Sequence, residues 1–165
     1  MLVGIIADTH DNAVAVDAAV RVFRERRVSL VVHAGDIVAP FTVRHFEPLG
    51  VPMRMVFGNN DGERLLLRER AAPLGGIHVP PFQFTVETEG RRRSFVVFHE
   101  PLFIEDIARE ETFDFVVYGH THRRDVRMVG ASLVINPGEA GGWVTGERSV
   151  ALLDTATNRV EFVVL

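Results

Sequence analysis

Five apolar runs in this chain each end at side chains able to bind a metal ion. Leu2–Ala7 leads to Asp8 and His10, Leu30–Ala34 to Gly35-Asp36, and Met53–Phe57 to Gly58-Asn59. Phe95–Phe98 leads to His99, and Phe113–Tyr118 to Gly119-His120-Thr121-His122. Two carboxylates, one amide and four imidazoles suit two hard or borderline divalent ions better than one. Asp8 and His10 lie two positions apart, so both can turn toward one ion, and His120 and His122 repeat the arrangement. A carboxylate such as Asp36 can give one oxygen to each of two ions, which two-metal hydrolases hold roughly 3.5–4 Å apart. Two dications against Asp8 and Asp36 leave a net positive site that attracts phosphate and acidifies a bridging water. Taken singly, each residue also has a plain structural reading. Asp8-Thr9-His10 can form a turn and a helix cap, and Asp36 can cap the segment after Pro40. Asn59 and Asn60 can serve a left-handed turn, and His99 and His120 can be hydrogen-bonded core histidines. Their joint placement at five run ends is what argues for a site.

The runs themselves must supply the positioning. In open α/β sheets, ligands gather at the carboxyl ends of strands, so five such strands bring residues distant in sequence to one rim. Leu2–Ala7, Leu30–His33 and Met53–Phe57 read as buried strands. Between them, Ala13–Arg26 reads as a helix capped by Asn12, with Val16, Val20 and Phe23 at helical spacing. Pro40 starts a short helix through Phe46, and Glu63–Ala72 reads as a helix ended by Pro73. Phe82–Glu87 and Arg92–Phe98 flank a hairpin turn at Thr88-Glu89-Gly90-Arg91. Pro101–Glu110 reads as helical. Phe113–Tyr118, Ser132–Ile135, Ser149–Leu153 and Val160–Val164 read as strands, the last two joined by a turn at Thr155–Arg159. A βαβαβ start followed by strands suggests an α/β fold of two sheets packed face to face with helices outside. Gly35, Gly58 and Gly119 allow tight backbone where strands end under an ion. His33 falls inside a strand and is expected in the core. His45, His78 and the Arg91-Arg92-Arg93 hairpin tip are expected at the surface.

Asp8-Thr9-His10, Gly35-Asp36, Gly58-Asn59-Asn60-Asp61, the isolated His99 and Gly119-His120-Thr121-His122 occur in that order. Together they resemble the calcineurin-like metallophosphoesterase superfamily, in its small single-domain branch similar to the YfcE-type phosphodiesterases. The resemblance runs from residue 2 to about residue 140. It implies a four-layer αββα sandwich, two mixed β-sheets flanked by helices, with residues 1–165 forming a single domain. It also implies that Asp8, His10, Asp36 and His122 hold one metal, and that Asp36, Asn59, His99 and His120 hold the other. Asp36 would bridge the two, and a metal-bound hydroxide would attack phosphorus. Mn²⁺ is the first expectation, with Fe²⁺, Ni²⁺ or Zn²⁺ compatible with the same donors. Catalytic roles fall on Asp36, Asn60 and Asp61, and homodimers are unsurprising for the family.

The chain departs from that pattern in three places. Many members carry a histidine where Asn60 stands. Asparagine donates a hydrogen bond but delivers no proton at neutral pH, and Asp61 keeps its place without that partner. General-acid help is worth about 10²–10⁴-fold, so a modest rate and a preference for diesters over unactivated monoesters are expected. After His99 comes Glu100-Pro101, where Glu100 either turns to solvent or caps the next segment, the favoured reading, or else approaches the second metal. In Asn136-Pro137-Gly138-Glu139, glutamate replaces the usual serine, by simple divergence or to narrow the substrate range. Arg123 and Arg124 follow His122 and offer forks that match phosphate oxygens.

Length and composition bound the rest. A chain of 165 residues can bury a core as one domain. With no cysteine, disulfides and thiolate chemistry are excluded, and with all 18 basic residues arginine, so are a P-loop lysine and a Schiff base. A net charge of −4 argues against broad nucleic-acid or membrane affinity. The first strand begins at Leu2 and ends in a ligand, so no signal peptide fits, and a cytoplasmic protein is expected. Three functions compete: a metal-dependent phosphodiesterase acting on a small diester, a nuclease, and a non-catalytic scaffold of the same fold. The acidic charge counts against the nuclease, and the filled ligand set counts against the scaffold.

Overall fold

The computed structural model describes residues 1–165. Its first sheet holds β1 (Leu2–Ile6), β2 (Leu30–His33), β3 (Met53–Val56), β4 (Ile77–His78), β10 (Ser149–Asp154) and β11 (Arg159–Val164). The order is β11-β10-β1-β2-β3-β4, with β1 to β4 parallel and β10 and β11 antiparallel. The second sheet holds β5 (Phe82–Thr88), β6 (Arg91–Val97), β7 (Phe115–Val117), β8 (Arg124–Val129) and β9 (Ser132–Pro137), in the order β5-β6-β7-β9-β8. Both sheets are mixed, as expected.

Three apolar layers hold the sandwich together. Val3, Ile5, Val32 and Val56 of the first sheet meet Phe95, Val97, Phe115, Val117 and Ile135 of the second, all fully buried. On the outer face of the first sheet, α1 (Ala13–Glu25) packs Val16, Ala19 and Phe23 against Ile6, Val31 and Met53. α2 (Arg64–Ala71) and a 3-10 segment at Pro40–Leu49 add Leu67 and Phe46 to that layer. On the outer face of the second sheet, α3 (Ile104–Arg109) packs Ile104 and Ala108 against Val96, Val116 and Val134. Strands buried on both faces have no polar side to alternate, which is why they read as continuous apolar runs. Gly4 lets the aromatic ring of Phe23 approach β1 closely, since a Cβ there would fall 2.7 Å from it.

Asn12 caps α1, its side chain accepting a hydrogen bond from Ala15 N at 3.2 Å. The hairpin turn falls at Glu89-Gly90, both with positive φ. Other expectations are corrected. The segment after Pro40 is 3-10 rather than α-helical and runs to Leu49, and α3 is shorter than the helical pattern around it. β4 and β8 were not anticipated. His78 is half-buried and stacks on Phe82 at 3.7 Å between ring centroids. Arg93 is folded inward, over the Phe115 ring and 3.4 Å from Asp114, while Arg91 and Arg92 stay exposed. No helix is long and apolar enough to cross a membrane.

Candidate metal centre

All seven predicted ligand residues converge on the rim at the carboxyl ends of β1, β2, β3, β6 and β7. Asp36 is at the middle. Its Oδ2 lies 3.5 Å from His10 Nε2 and 3.4 Å from His99 Nε2. On one side, ligand atoms of Asp8, His10 and His122 lie within 4.8 Å of one another. Asp8 Oδ1 is 3.9 Å from His10 Nε2 and 3.7 Å from His122 Nε2. On the other side, Asn59 Oδ1 sits 2.8 Å from His99 Nε2 and 2.9 Å from His120 Nδ1. Asp8 also groups with Asp36 and His99 within the same 4.8 Å limit, so the two halves are contiguous.

The backbone is bent to achieve this. Asp8, His10, Asp36, His120 and His122 all have φ between 41° and 66°. Such left-handed backbone is uncommon for residues other than glycine and costs about 1–3 kcal/mol at each position, and it concentrates at functional sites. Surrounding hydrogen bonds hold the bends. Asp8 N donates to Gly35 O and His10 N to Asp36 O, and His120 N donates to Asp8 Oδ2 at 3.0 Å. Gly58 is required for space: a Cβ there would lie 2.1 Å from Asp36 Oδ1. A Cβ on Gly35 would lie 2.6 Å from His99 Nδ1.

The donor set fits cations. His99 Nδ1 meets Ala34 O at 2.8 Å, which directs Nε2 into the pocket, as backbone carbonyls behind metal-bound histidines do. There Nε2 faces Asn59 Oδ1 and Asp36 Oδ2, a convergence of acceptors that a positive ion satisfies. His10 Nε2 is buried without a hydrogen-bond partner although two carboxylates surround it. The electrostatics agree. Burial pushes the Asp8 carboxyl up to about 7, against the pull of His99 and His122. Burial also acts to raise Asp36, but hydrogen bonds from His99 and Asn60 outweigh it and hold Asp36 well below the usual range. Burial lowers His99, yet the adjoining Asp36 more than compensates, so its proton affinity rises. His10 is lowered, chiefly by burial.

The remaining predicted residues divide. Asn60 donates from N and Nδ2 to the two Asp36 oxygens, at 2.9 and 2.8 Å. Asp61 is buried, with Oδ1 accepting from Val38 N at 2.6 Å and Oδ2 from Gly58 N at 2.7 Å. Both its oxygens tie loops together, and neither reaches the Asn60 side chain. His33 is fully buried beneath the site, bonded to Thr9 Oγ1 and Gly35 N, and burial pushes it down to about 3. Glu100 is exposed and lies outside both ligand groups. Arg124 pairs with Glu147 at 2.7 Å, while Arg123 is exposed beside His122 and Glu139 on the rim.

Glu139 is the residue that sequence reasoning underrated. It is 1% exposed and accepts hydrogen bonds from Trp143 N, Val144 N, Thr145 N and Thr145 Oγ1. Burial acts to raise its carboxyl, but these donors prevail and hold it below its ordinary value. The loop it organises places Trp143 Nε1 on His10 O at 3.1 Å.

The calcineurin-like phosphoesterase superfamily domain matches residues 1–158. A phosphodiesterase of Methanocaldococcus jannaschii is 34% identical over 165 residues, which span 100% of this chain and 99% of that protein. A probable metallophosphoesterase of Methanothermobacter thermautotrophicus is 29% identical over 143 residues, spanning 84% of this chain and 76% of that protein. Among solved structures, an archaeal phosphodiesterase matches all of both chains with a TM-score of 0.89 at 34% identity. The E. coli phosphoesterase YfcE, at 19% identity and a TM-score of 0.67 over 99% of this chain and 98% of that one, shares the fold.

Proposed function

The chain belongs to the calcineurin-like phosphoesterase superfamily and is a metal-dependent phosphoric ester hydrolase, and we propose that it hydrolyses small phosphodiesters at a two-metal centre. Residues 1–165 act as one catalytic domain, working in the cytoplasm with Mn²⁺ as the preferred ion. Asp8, His10, Asp36 and His122 would hold one ion, and Asp36, Asn59, His99 and His120 would hold the other. The observation that carries this reading is the position of Asp36 Oδ2, 3.5 Å from a histidine of one set and 3.4 Å from a histidine of the other.

Bound there, two divalent ions supply Lewis acidity to the phosphate and lower the pKa of a water. The chain's own groups do the rest. Asn60 steadies both oxygens of Asp36, so the carboxylate that both ligand sets would share is set before substrate arrives. Asp61 is a positioning residue that locks the loops after β2 and β3 together. His33, kept neutral, supports Thr9 and Gly35 without adding a positive charge beneath the ions. The amide of Asn60 delivers no proton to a departing oxygen at neutral pH, which favours esters whose leaving group needs none.

The test is hydrolysis of bis(p-nitrophenyl) phosphate by metal-free protein with and without added Mn²⁺, beside Asp36→Ala. Metal-dependent turnover that is lost in the variant is expected. A protein that binds the metal but turns over no diester with any divalent ion would overturn the proposal.

A further inference from the structure

A cavity opens beside the candidate metal centre and shares His99 with it. It measures about 350 Å³ and is walled by Pro80, Pro81, Phe98, Leu102, Phe103 and Ile107, with His99 and Glu100 as its only polar or charged neighbours. Pro80 and Pro81 follow β4, and Phe98, His99 and Glu100 follow β6, so the groove lies at the strand end that presents His99 and beside β3, the neighbour of β4, which presents Asn59. Its size is that of a small-ligand site, and its lining is the apolar kind in which a few polar groups set orientation.

Two features mark it as more than leftover surface. Leu102 is 60% exposed and Phe103 73% exposed, although both are large and apolar. Phe103 also has φ 58°, a left-handed conformation unfavourable for a bulky side chain, and its ring gains no core burial in return. Large side chains held outward beside a metal-binding rim are arranged to meet something apolar. The groove shares His99 with the proposed metal centre, so it is the apolar surface next to a phosphoryl group held there. Glu100, exposed at the wall, disfavours an anionic substituent such as a further phosphate.

We infer that this groove receives an uncharged aromatic or apolar ester substituent of the phosphodiester substrate, with Phe103 and Leu102 as specificity-determining residues. The inference rests on the phosphodiesterase reading and narrows its substrate class to diesters carrying such a group. A nucleobase, an aryl group and a hydrocarbon chain share the required chemistry.

The experiment compares phenylphosphonate with methylphosphonate as ligands of the Mn²⁺-loaded protein. Both are read as inhibitors of bis(p-nitrophenyl) phosphate hydrolysis and by direct calorimetric titration. Wild-type protein should bind the phenyl compound at least about tenfold more tightly, the effect of burying one ring. Phe103→Ala, and Leu102→Ala in lesser degree, should bring the two within about threefold while leaving methylphosphonate affinity unchanged. Both side chains are exposed, so the variants should keep the wild-type melting temperature. No phenyl preference in the wild type, or the same preference in Phe103→Ala, would overturn the inference. Absent diester turnover would sink the phosphodiesterase reading instead, and the calorimetric titration would still decide whether the groove takes a ring. Self-association of the protein abolished by Phe103→Ala, with phosphonate selectivity unchanged, would make the groove an interface between copies and overturn the inference too.

Discussion

Glu139 Oε1 stands 3.4 Å from His122 Nδ1, with the histidine's other ring nitrogen turned toward Asp8. His122 Nδ1 is buried and has no hydrogen-bond partner at bonding geometry, and the Glu139 carboxylate is the charged group it faces. A carboxylate behind a metal-binding histidine fixes its tautomer and raises its basicity, and losing such a partner typically costs about 10–100-fold in metal affinity. Glu139→Ala should therefore weaken Mn²⁺ binding by about that factor, and Glu139→Gln by less, because the amide oxygen can still face Nδ1. Calorimetric titration with Mn²⁺ measures this directly. Because Glu139 also gathers the backbone N–H groups of residues 143–145, the alanine variant should change the fluorescence of Trp143, the only tryptophan. Wild-type metal affinity in Glu139→Ala would show that the pair is only a neighbourly contact.

Gly58 has a similar bearing on Asp36. Its backbone has no positive φ, so alanine there is not a conformational problem but a steric one, with a Cβ 2.1 Å from Asp36 Oδ1 and 2.4 Å from Asp36 N. Gly58→Ala should displace the Asp36 carboxylate and reduce diester turnover by about 10²-fold or more, the cost of a misplacement near 1 Å. Gly62→Ala, where nothing lies within 4 Å, is the matched control and should leave turnover unchanged. Steady-state kinetics on the two variants, beside their melting curves, separates site displacement from unfolding.

The location of the site was legible because strands buried on both faces give uninterrupted apolar runs, and those runs stop where ligands start. Asp8, Asp36 and His99, which group within 4.8 Å, each stand at such a break, and it is the breaks taken together that pointed to one rim. The task of Glu139 was not legible, because its main partners are backbone N–H groups, which leave no pattern in side-chain types. Nor were the left-handed conformations of Asp8 and His120, since neither residue type announces a positive φ as glycine does. β8 was missed because its alternation of Arg124, Asp125, Val126, Arg127 and Met128, half exposed at a sheet edge, reads as polar loop. β4 has only two residues, too few for any periodicity.

Two buried groups make stability depend on pH in opposite senses. His33 has its folded pKa pushed down to about 3, so the unfolded chain takes up the proton first. Stability is therefore intact above about pH 6.5 and lost as pH falls toward 3, at about 1.4 kcal/mol per pH unit for this one group. Denaturant titrations between pH 7 and 5 in chelator should show a slope shallower by about one proton in His33→Gln.

Asp8 behaves in the reverse way in metal-free protein. Its folded pKa is raised to about 7, so its favourable contribution is present below the ordinary carboxylate value and lost as pH climbs through 7. A bound cation must displace that proton, so metal affinity should rise with pH up to and past 7. Melting temperatures with and without Mn²⁺ should therefore diverge more at pH 8 than at pH 6. Saturating ion at about 100 times its dissociation constant adds about 2.7 kcal/mol. Asp8→Asn should shrink the divergence, and an equal Mn²⁺ shift at both pH values would argue that Asp8 does not ligate.

The proposed function predicts that Asn60 limits monoester cleavage, and its surroundings determine how far substitution can lift that limit. A histidine in its place would bring a transferable proton, a device worth about 10²–10⁴-fold when well positioned. Positioning is what this protein lacks. Asp61, the carboxylate expected to orient that ring, is already committed to Val38 N and Gly58 N at 2.6 and 2.7 Å. The substitution also removes the Asn60 Nδ2 donor that steadies Asp36 Oδ2 at 2.8 Å. Asn60→His should therefore raise p-nitrophenyl phosphate turnover by only about tenfold, below the full general-acid range, while diester turnover stays level or falls. The rise should follow the protonated form of a histidine and fade above about pH 7. A gain of about 10³-fold would mean that Asp61 releases its backbone partners to pair with the new ring, and that its bonds to Val38 and Gly58 are weaker than their lengths suggest.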